Sequence, residues 1–298
     1  MASGCLTSFH VPCGELESAF GARGYVLNAL VVAMHVVPLL IGTFIGAPLL
    51  ARELESGTFR FAWTQGTGRT RWVVTKLVLL ATVVGALTCA LGLVFGWYVH
   101  PFDAVGYSSR WLPGRFDVTG LTLAAWTLFA LALGAFLGLL IRRTVAAMAA
   151  TVALAGALLV AAYWRLDEQL LGLGPRVARA SPDGWAVGPL HTYVTSQLPS
   201  NPGPPGSWLI SSWYTGPGGG RLSADAANLL LGRLAVMFKP AATVNDATAW
   251  LTAHHYVYWV SFQPPGRYWL FQGIEGAVLL GLALVLALAT VALVRRRG

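Results

Sequence analysis

The residues with the clearest chemical potential lie in one short run. Ala51–Lys76, ARELESGTFRFAWTQGTGRTRWVVTK, holds five bases (Arg52, Arg60, Arg69, Arg71, Lys76) and two acids (Glu53, Glu55) between apolar stretches that carry neither. Two carboxylates share acid–base work only where their side chains converge. On a helix, positions two apart point about 200° from each other, so Glu53 and Glu55 form no paired acid/base site. Arg52 and Glu55, three apart, share a face and have the spacing of an ion pair. Gly57 suits a helix end and Thr58 a new start, and Gly66-Thr67-Gly68 reads as a turn before Arg69, Arg71 and Lys76. What remains for this run is charge pairing and docking. An interfacial loop whose Arg and Trp side chains anchor at lipid headgroups has the same patterning.

The other chemistry-bearing residues are scattered. His35 and Glu275 sit inside apolar runs, where an ionisable side chain is costly and is a candidate for a substrate path. The alternative for each is a structural hydrogen bond, Glu275 near the outer surface and His35 to a neighbouring helix. His254 and His255 are adjacent, so they point apart in a helix or a strand, and no metal site is expected. No nucleophile–base spacing is evident. A phosphate-binding loop requires a glycine-rich turn ending Gly-Lys-Ser/Thr. Lys76 follows Thr75 and Lys239 follows Phe238, so no ATP is bound by that route.

The elements that position these residues follow from composition. Of 298 residues, 56 % are hydrophobic and 11 % charged, against about 25 % charged in soluble domains. Five apolar runs, Val26–Leu50, Leu77–Val99, Val118–Ile141, Thr144–Trp164 and about Tyr268–Val294, are each long enough to cross the membrane, since about 20 helical residues suffice. The expected class is an all-α polytopic membrane protein. Arg142 and Arg143 leave almost no room between the third and fourth runs, which predicts a tight helical hairpin. The GxxxG pairs Gly42/Gly46, Gly92/Gly96 and Gly134/Gly138 are candidates for close helix contacts.

Orientation follows from positive charge. Alternating five spans puts Ala51–Lys76, Arg142–Thr144 and Arg295–Gly298 on one side, where 33 residues hold ten of the twenty Lys and Arg. That side reads as cytoplasmic, with the N-terminus of this chain outside and the C-terminus inside. The net charge of +8 is a topology signal and not a sign of nucleic-acid binding. Four regions result: an external segment 1–25, a four-helix membrane region 26–164 containing the connector 51–76, an external Trp-rich segment 165–267, and a last helix with a basic tail, 268–298. Within the Trp-rich segment, PSNPGPPG at 199–206 and GPGGG at 216–220 argue for loops. Asn228–Phe238 and Thr243–His255 read as short helices, the first packing within the loop or lying on the membrane. Cys5 and Cys13 could pair in an oxidising compartment or stay as free thiols, and Cys89 reads as a packing residue.

A resemblance narrows the function. The order Glu53-x-Glu55-x-Gly57-Thr58, an apolar segment, a Thr/Gly turn, then Arg69, Arg71 and Lys76 resembles the permease subunits of ABC-2 type transporters, in particular a subgroup common in GC-rich bacteria. FQPPGRYWLFQGIE at 262–275 is similar to the stretch that introduces the last helix of that subgroup. The resemblance implies that the connector is a coupling helix seated in a groove of a separate ATP-binding subunit. On that reading Glu53, Glu55, Gly57, Thr58, Arg69, Arg71 and Lys76 serve coupling. ATP and Mg then belong to the partner, with no cofactor in this chain. The implied partners are the ATPase subunit, a second permease copy or a related permease, and the bilayer. Export is the usual direction. The other class is an integral membrane enzyme or sensor acting through the Trp-rich segment. Family permeases usually have six spans with the N-terminus inside, so a further helix upstream of Met1 is expected, a natural five-span variant being the alternative.

Overall fold

The computed structural model describes residues 13–57, 68–104, 110–111, 113–162, 175–179, 206–237 and 244–296. It is mostly helical, and the chain divides into two compact units.

The first unit holds the five candidate spans. Helix α1 (Cys13–Ile41) runs through a π-helical turn (Gly42–Gly46) into α2 (Ala47–Ser56). The first span, Tyr25–Ser56, thus lies within one helical column that begins at Cys13, in the segment 1–25 that precedes the span. Pro38 lies within α1 and cannot donate to the carbonyl one turn back; the π turn follows four residues later, a local widening of the helix. The second span is α3 (Arg69–Ala104). The third and fourth are α4 (Thr122–Ile141) and α5 (Thr144–Ala161), joined by Arg142 in the left-handed region (φ 58°) and an extended Arg143. This is the tight hairpin that the paired arginines predict.

Helix α4 is the centre of the bundle. Sixteen of its twenty residues are buried, and it packs against α1, the π turn, α2 and α5. Trp126, Phe129, Leu133 and Leu137 meet Ala155 and Ala162 near α5, and Leu279 and Ala283 of the last span. Lower in the bundle Leu50, Val73, Leu77, Leu139 and Val294 form a second cluster. By contrast Leu79, Leu87, Val94, Val145, Leu158, Val278 and Leu284 are exposed on the other spans. In water such a surface would drive aggregation; in a bilayer it is the lipid-facing surface.

Two of the glycine pairs lie back to back. A Cβ on Gly42 would sit 2.7 Å from the Ala130 carbonyl oxygen, and one on Gly46 at 2.7 Å from that of Leu131. Gly134 meets the backbone of Gly42 and Ala47, and Gly138 that of Ala47 and Ala51, just as closely. First and third spans thus touch backbone to backbone, which only residues without a side chain allow. Of the third pair, Gly92 is packed on the Gly120 carbonyl whereas Gly96 has near-ordinary contacts.

The second unit is where regular structure exceeds the sequence expectation. Strands β1 (Arg176–Arg179), β2 (Trp208–Thr215) and β3 (Val257–Gln263) form an antiparallel sheet in the order β1-β3-β2. Helices α6 (Ala224–Met237) and α7 (Val244–Ala253) bury Leu230, Leu231, Leu234 and Leu251 with Tyr214, Tyr258, Val260 and Phe262 of the sheet. Period-two alternation is obscured here because both faces of β2 and β3 carry aromatics and β-branched residues. GPGGG is a turn as expected: Gly216 N–H donates to Gly220 O at 3.0 Å, closing the bridge of Thr215 with Arg221. The Tyr214 and Tyr258 rings stack at 4.6 Å, and burial pushes both hydroxyls above their ordinary range. Trp111, fully buried, donates to Gly206 O at 2.9 Å and meets the Tyr268 ring edge-on, so the loop after α3 is built into this unit. The last span, α8 (Tyr268–Arg296), leaves directly from a 3-10 turn at Pro265–Arg267.

Candidate functional site

The connector begins and ends on helices. Residues Ala51–Ser56 continue the first span, and Arg69–Lys76 are the first turns of the second. Gly57 closes α2 with φ 73°, the left-handed conformation that glycine adopts without strain. The two ends are clasped: the Lys76 ammonium donates to Glu53 Oε1 in direct contact, and lies 4.3 Å from the centroid of the Trp72 ring. Both members of the pair are about a third exposed. Glu53 sits in the last turn of α2, where exposed carbonyls repel a carboxylate. The lysine offsets that cost.

Glu55 is turned elsewhere. Its Oε2 accepts the Thr144 backbone N–H at 2.9 Å and the Thr144 hydroxyl at 2.7 Å. A helix leaves its first N–H groups without intrahelical partners, and α5 offers no cap from its own preceding residue Arg143. Glu55 supplies that cap from another helix, with its negative charge at the favourable end of the helix dipole. The ion pair that the i,i+3 spacing of Arg52 and Glu55 predicts is replaced by this contact. Arg71 is exposed, Arg69 begins α3 and Thr58 lies outside the described residues, as do Gly66 and Thr67.

The intramembrane candidates fall in a second polar layer. Glu275, half-buried on α8, accepts the Trp126 indole N–H at 2.9 Å. His35 Nδ1 lies 2.8 Å from the Val31 carbonyl of its own helix, and Nε2 lies 3.9 Å from Asp117 Oδ2. Asp117 belongs to the segment 113–121 that leads into α4. A 3-10 turn at Pro113–Arg115 opens it, and residues 115–120 are buried. Buried non-helical backbone must find its hydrogen bonds within the protein. Gln272 provides them: its amide donates to Phe116 O (2.8 Å) and Thr119 O (3.0 Å), and its Oε1 accepts Leu121 N–H at 3.1 Å. Thr122 Oγ1 lies 2.9 Å from both Phe116 O and Thr119 O, which share its one hydroxyl proton. Gly120, at φ 66°, donates its N–H to Gly92 O at 3.2 Å, and a Cβ there would lie 2.7 Å from Gln272 Oε1.

Sequence reasoning reaches Glu53, Glu55, Lys76, His35 and Glu275 but not Thr144, Asp117 or Gln272. Gln272 had a readable signal, an amide inside an apolar run and within the block 262–275. Asp117 did not, because Arg115 beside it makes the segment read as an ordinary loop. His254 stacks on Trp250 at 3.9 Å with Nδ1 at 2.8 Å from the Trp250 carbonyl, a local contact in the second unit. The possible pairing of Cys5 with Cys13 involves side chains outside the described residues.

Comparison with curated proteins and with solved structures finds no match to this chain. A family model does match, across residues 2–166, the stretch that carries the connector, the central hairpin and the buried turn. With more than half its length inside that match, the chain belongs to the family described as ABC-2 membrane transporter related.

Proposed function

We propose that the chain is the membrane-spanning permease subunit of an ATP-binding cassette transporter, energised by a separate ATP-binding subunit and working as an exporter. Membership of the family supports the permease role, and the polytopic bundle is the architecture that role requires. ATP and Mg belong to the partner subunit. The chain pairs with a second permease in the bilayer, and its connector faces the cytoplasm.

The observation that carries the coupling role is the anchoring of the connector. Glu53 is clasped to Lys76 and Glu55 to Thr144, so the last turn of α2 is tied to both the second and the fourth span. A partner that closes on nucleotide and displaces this connector therefore moves the first, second and fourth spans together. Gly57, Thr58, Arg69 and Arg71 complete the proposed coupling surface. The mechanism is conformational, and this chain contributes no bond-making step.

The test is a search of the neighbouring genes for an ATP-binding cassette subunit, followed by co-expression of the two chains. The wild-type chain co-purifies with that subunit and raises or gates its ATP turnover. Glu53→Gln together with Glu55→Gln weakens assembly or uncouples turnover from transport. Normal assembly and coupling in the double variant removes these carboxylates from the coupling role. Orientation is tested separately in a chain whose three cysteines are replaced. A cysteine at exposed Ser211 reacts with an impermeant thiol reagent in whole cells and one at exposed Ser56 does not. The reverse pattern overturns the cytoplasmic connector.

A further inference from the structure

We propose that His35 and Asp117 form a proton-binding site inside the membrane bundle, one exchangeable proton joining the first span to the buried turn before α4. The site is independent of the coupling role, and its test requires neither the ATPase subunit nor a substrate.

The argument starts from Asp117. Its side chain is 2 % exposed, and neither carboxylate oxygen accepts a hydrogen bond. An ionised carboxylate in that position is costly unless a cation or donor reaches it. The group that faces it is His35, whose Nε2 lies 3.9 Å from Oδ2. The contact of His35 with Val31 fixes what Nε2 presents. A backbone carbonyl only accepts, so the hydrogen is on Nδ1, and in neutral imidazole Nε2 then carries a lone pair. Two acceptors thus point at each other, at a separation beyond a hydrogen bond.

A proton resolves this arrangement. In the unloaded form the pair is neutral His35 and an Asp117 carboxylate, net charge −1. Uptake of one proton from water places N–H on Nε2, which donates to Oδ2, and the pair becomes a neutral-sum imidazolium–carboxylate contact. Release returns the proton to water and restores the two opposed acceptors. The loaded form draws α1 towards the turn, which Gln272 and Thr122 hold rigidly from α8 and α4. The unloaded form releases it.

Few other charges compete. The apolar runs Tyr25–Ala51, Leu77–Val99 and Val118–Ile141 contain no Asp, Glu, Lys or Arg. The turn itself carries Arg115, buried two residues before Asp117, and the apolar part of α8 carries Glu275, engaged by Trp126. The other charges of α1 (Glu15, Glu17, Arg23) and α8 (Arg295, Arg296) lie at the ends of those helices.

The experiment uses the full chain in lipid nanodiscs with [15N]histidine, of which there are six. The His35 signal is the one missing from His35→Gln, or from His35→Asn if the first does not fold. Spectra run from about pH 5 to about pH 9, the range in which histidine charge changes in proteins. In the wild-type chain the signal passes from the Nδ1–H neutral form to imidazolium as pH falls. In Asp117→Asn it stays neutral throughout, and Asp117→Glu retains the change. A wild-type signal fixed in one form across the range overturns the proposal, and that measurement stands even if the Asp117 variants fail to fold. Equal titration in wild type and Asp117→Asn overturns it as well.

Discussion

Glu55 caps the helix that begins at Thr144. One carboxylate oxygen takes both the backbone N–H and the hydroxyl of a residue 89 positions later, at 2.9 and 2.7 Å. The end of the first span is thereby fixed to the start of the fourth, and the short turn at Arg142–Arg143 is held from outside.

Removing the cap loosens that end of the hairpin. Glu55→Ala lowers the melting temperature of the purified chain and speeds amide exchange at the first turn of α5. Glu55→Gln, whose amide oxygen still accepts, has the smaller effect. Equal melting and unchanged exchange in Glu55→Ala would show that the cap carries no stability.

The Glu53–Lys76 clasp predicts a charge-reversal rescue. Glu53→Lys and Lys76→Glu each weaken the chain, and the double reversal recovers most of the loss, because the pair regains its attraction. Partly exposed pairs of this kind couple by less than about 1 kcal/mol. A double-mutant cycle on melting curves reads the coupling, and a value of zero removes the clasp as a stabilising contact.

Backbone contact between the first and third spans makes Gly134 intolerant. Gly134→Ala places a methyl group against the backbone of Gly42 and Ala47, an overpacking that costs about 1–3 kcal/mol or more. Gly156→Ala and Gly273→Ala, which add their methyl groups to open space, are close to neutral. The measurement is unfolding of the three variants in the same detergent. Similar loss in all three would mean that the effect is not packing.

Gln272 satisfies the turn before α4, and its loss strands a donor. In Gln272→Leu the Phe116 and Thr119 carbonyls are left to share the one Thr122 hydroxyl proton, and the Leu121 N–H loses its acceptor. A buried group left in that state costs about 1–3 kcal/mol. Gln272→Glu sets a carboxylate oxygen against the same two carbonyls and costs at least as much. Thermal unfolding of both variants checks the order, and wild-type stability in either contradicts the role assigned to Gln272.

Five membrane helices, the hairpin at Arg142–Arg143, the helix end at Gly57 and the charged connector were all legible in the residue order. Each is a local property: apolar length, a missing Cβ, or charge density decides it without reference to distant parts of the chain. What tertiary structure decided is pairing. Glu55 has Arg52 on its own helix face, yet it meets Thr144, because α5 starts beside α2 with an unsatisfied N–H. Asp117 follows Arg115 in what reads as a loop, yet it is buried against His35, because Gln272 of α8 and Thr122 of α4 hold the turn before α4 in place through hydrogen bonds to its carbonyls. The sheet in the second unit was hidden for a related reason. Its strands lie far apart in sequence, and β3 becomes a strand by hydrogen bonding to β1 and β2 on either side. Periodicity reports which face a segment buries, but long-range hydrogen bonds depend on which segments the fold brings together.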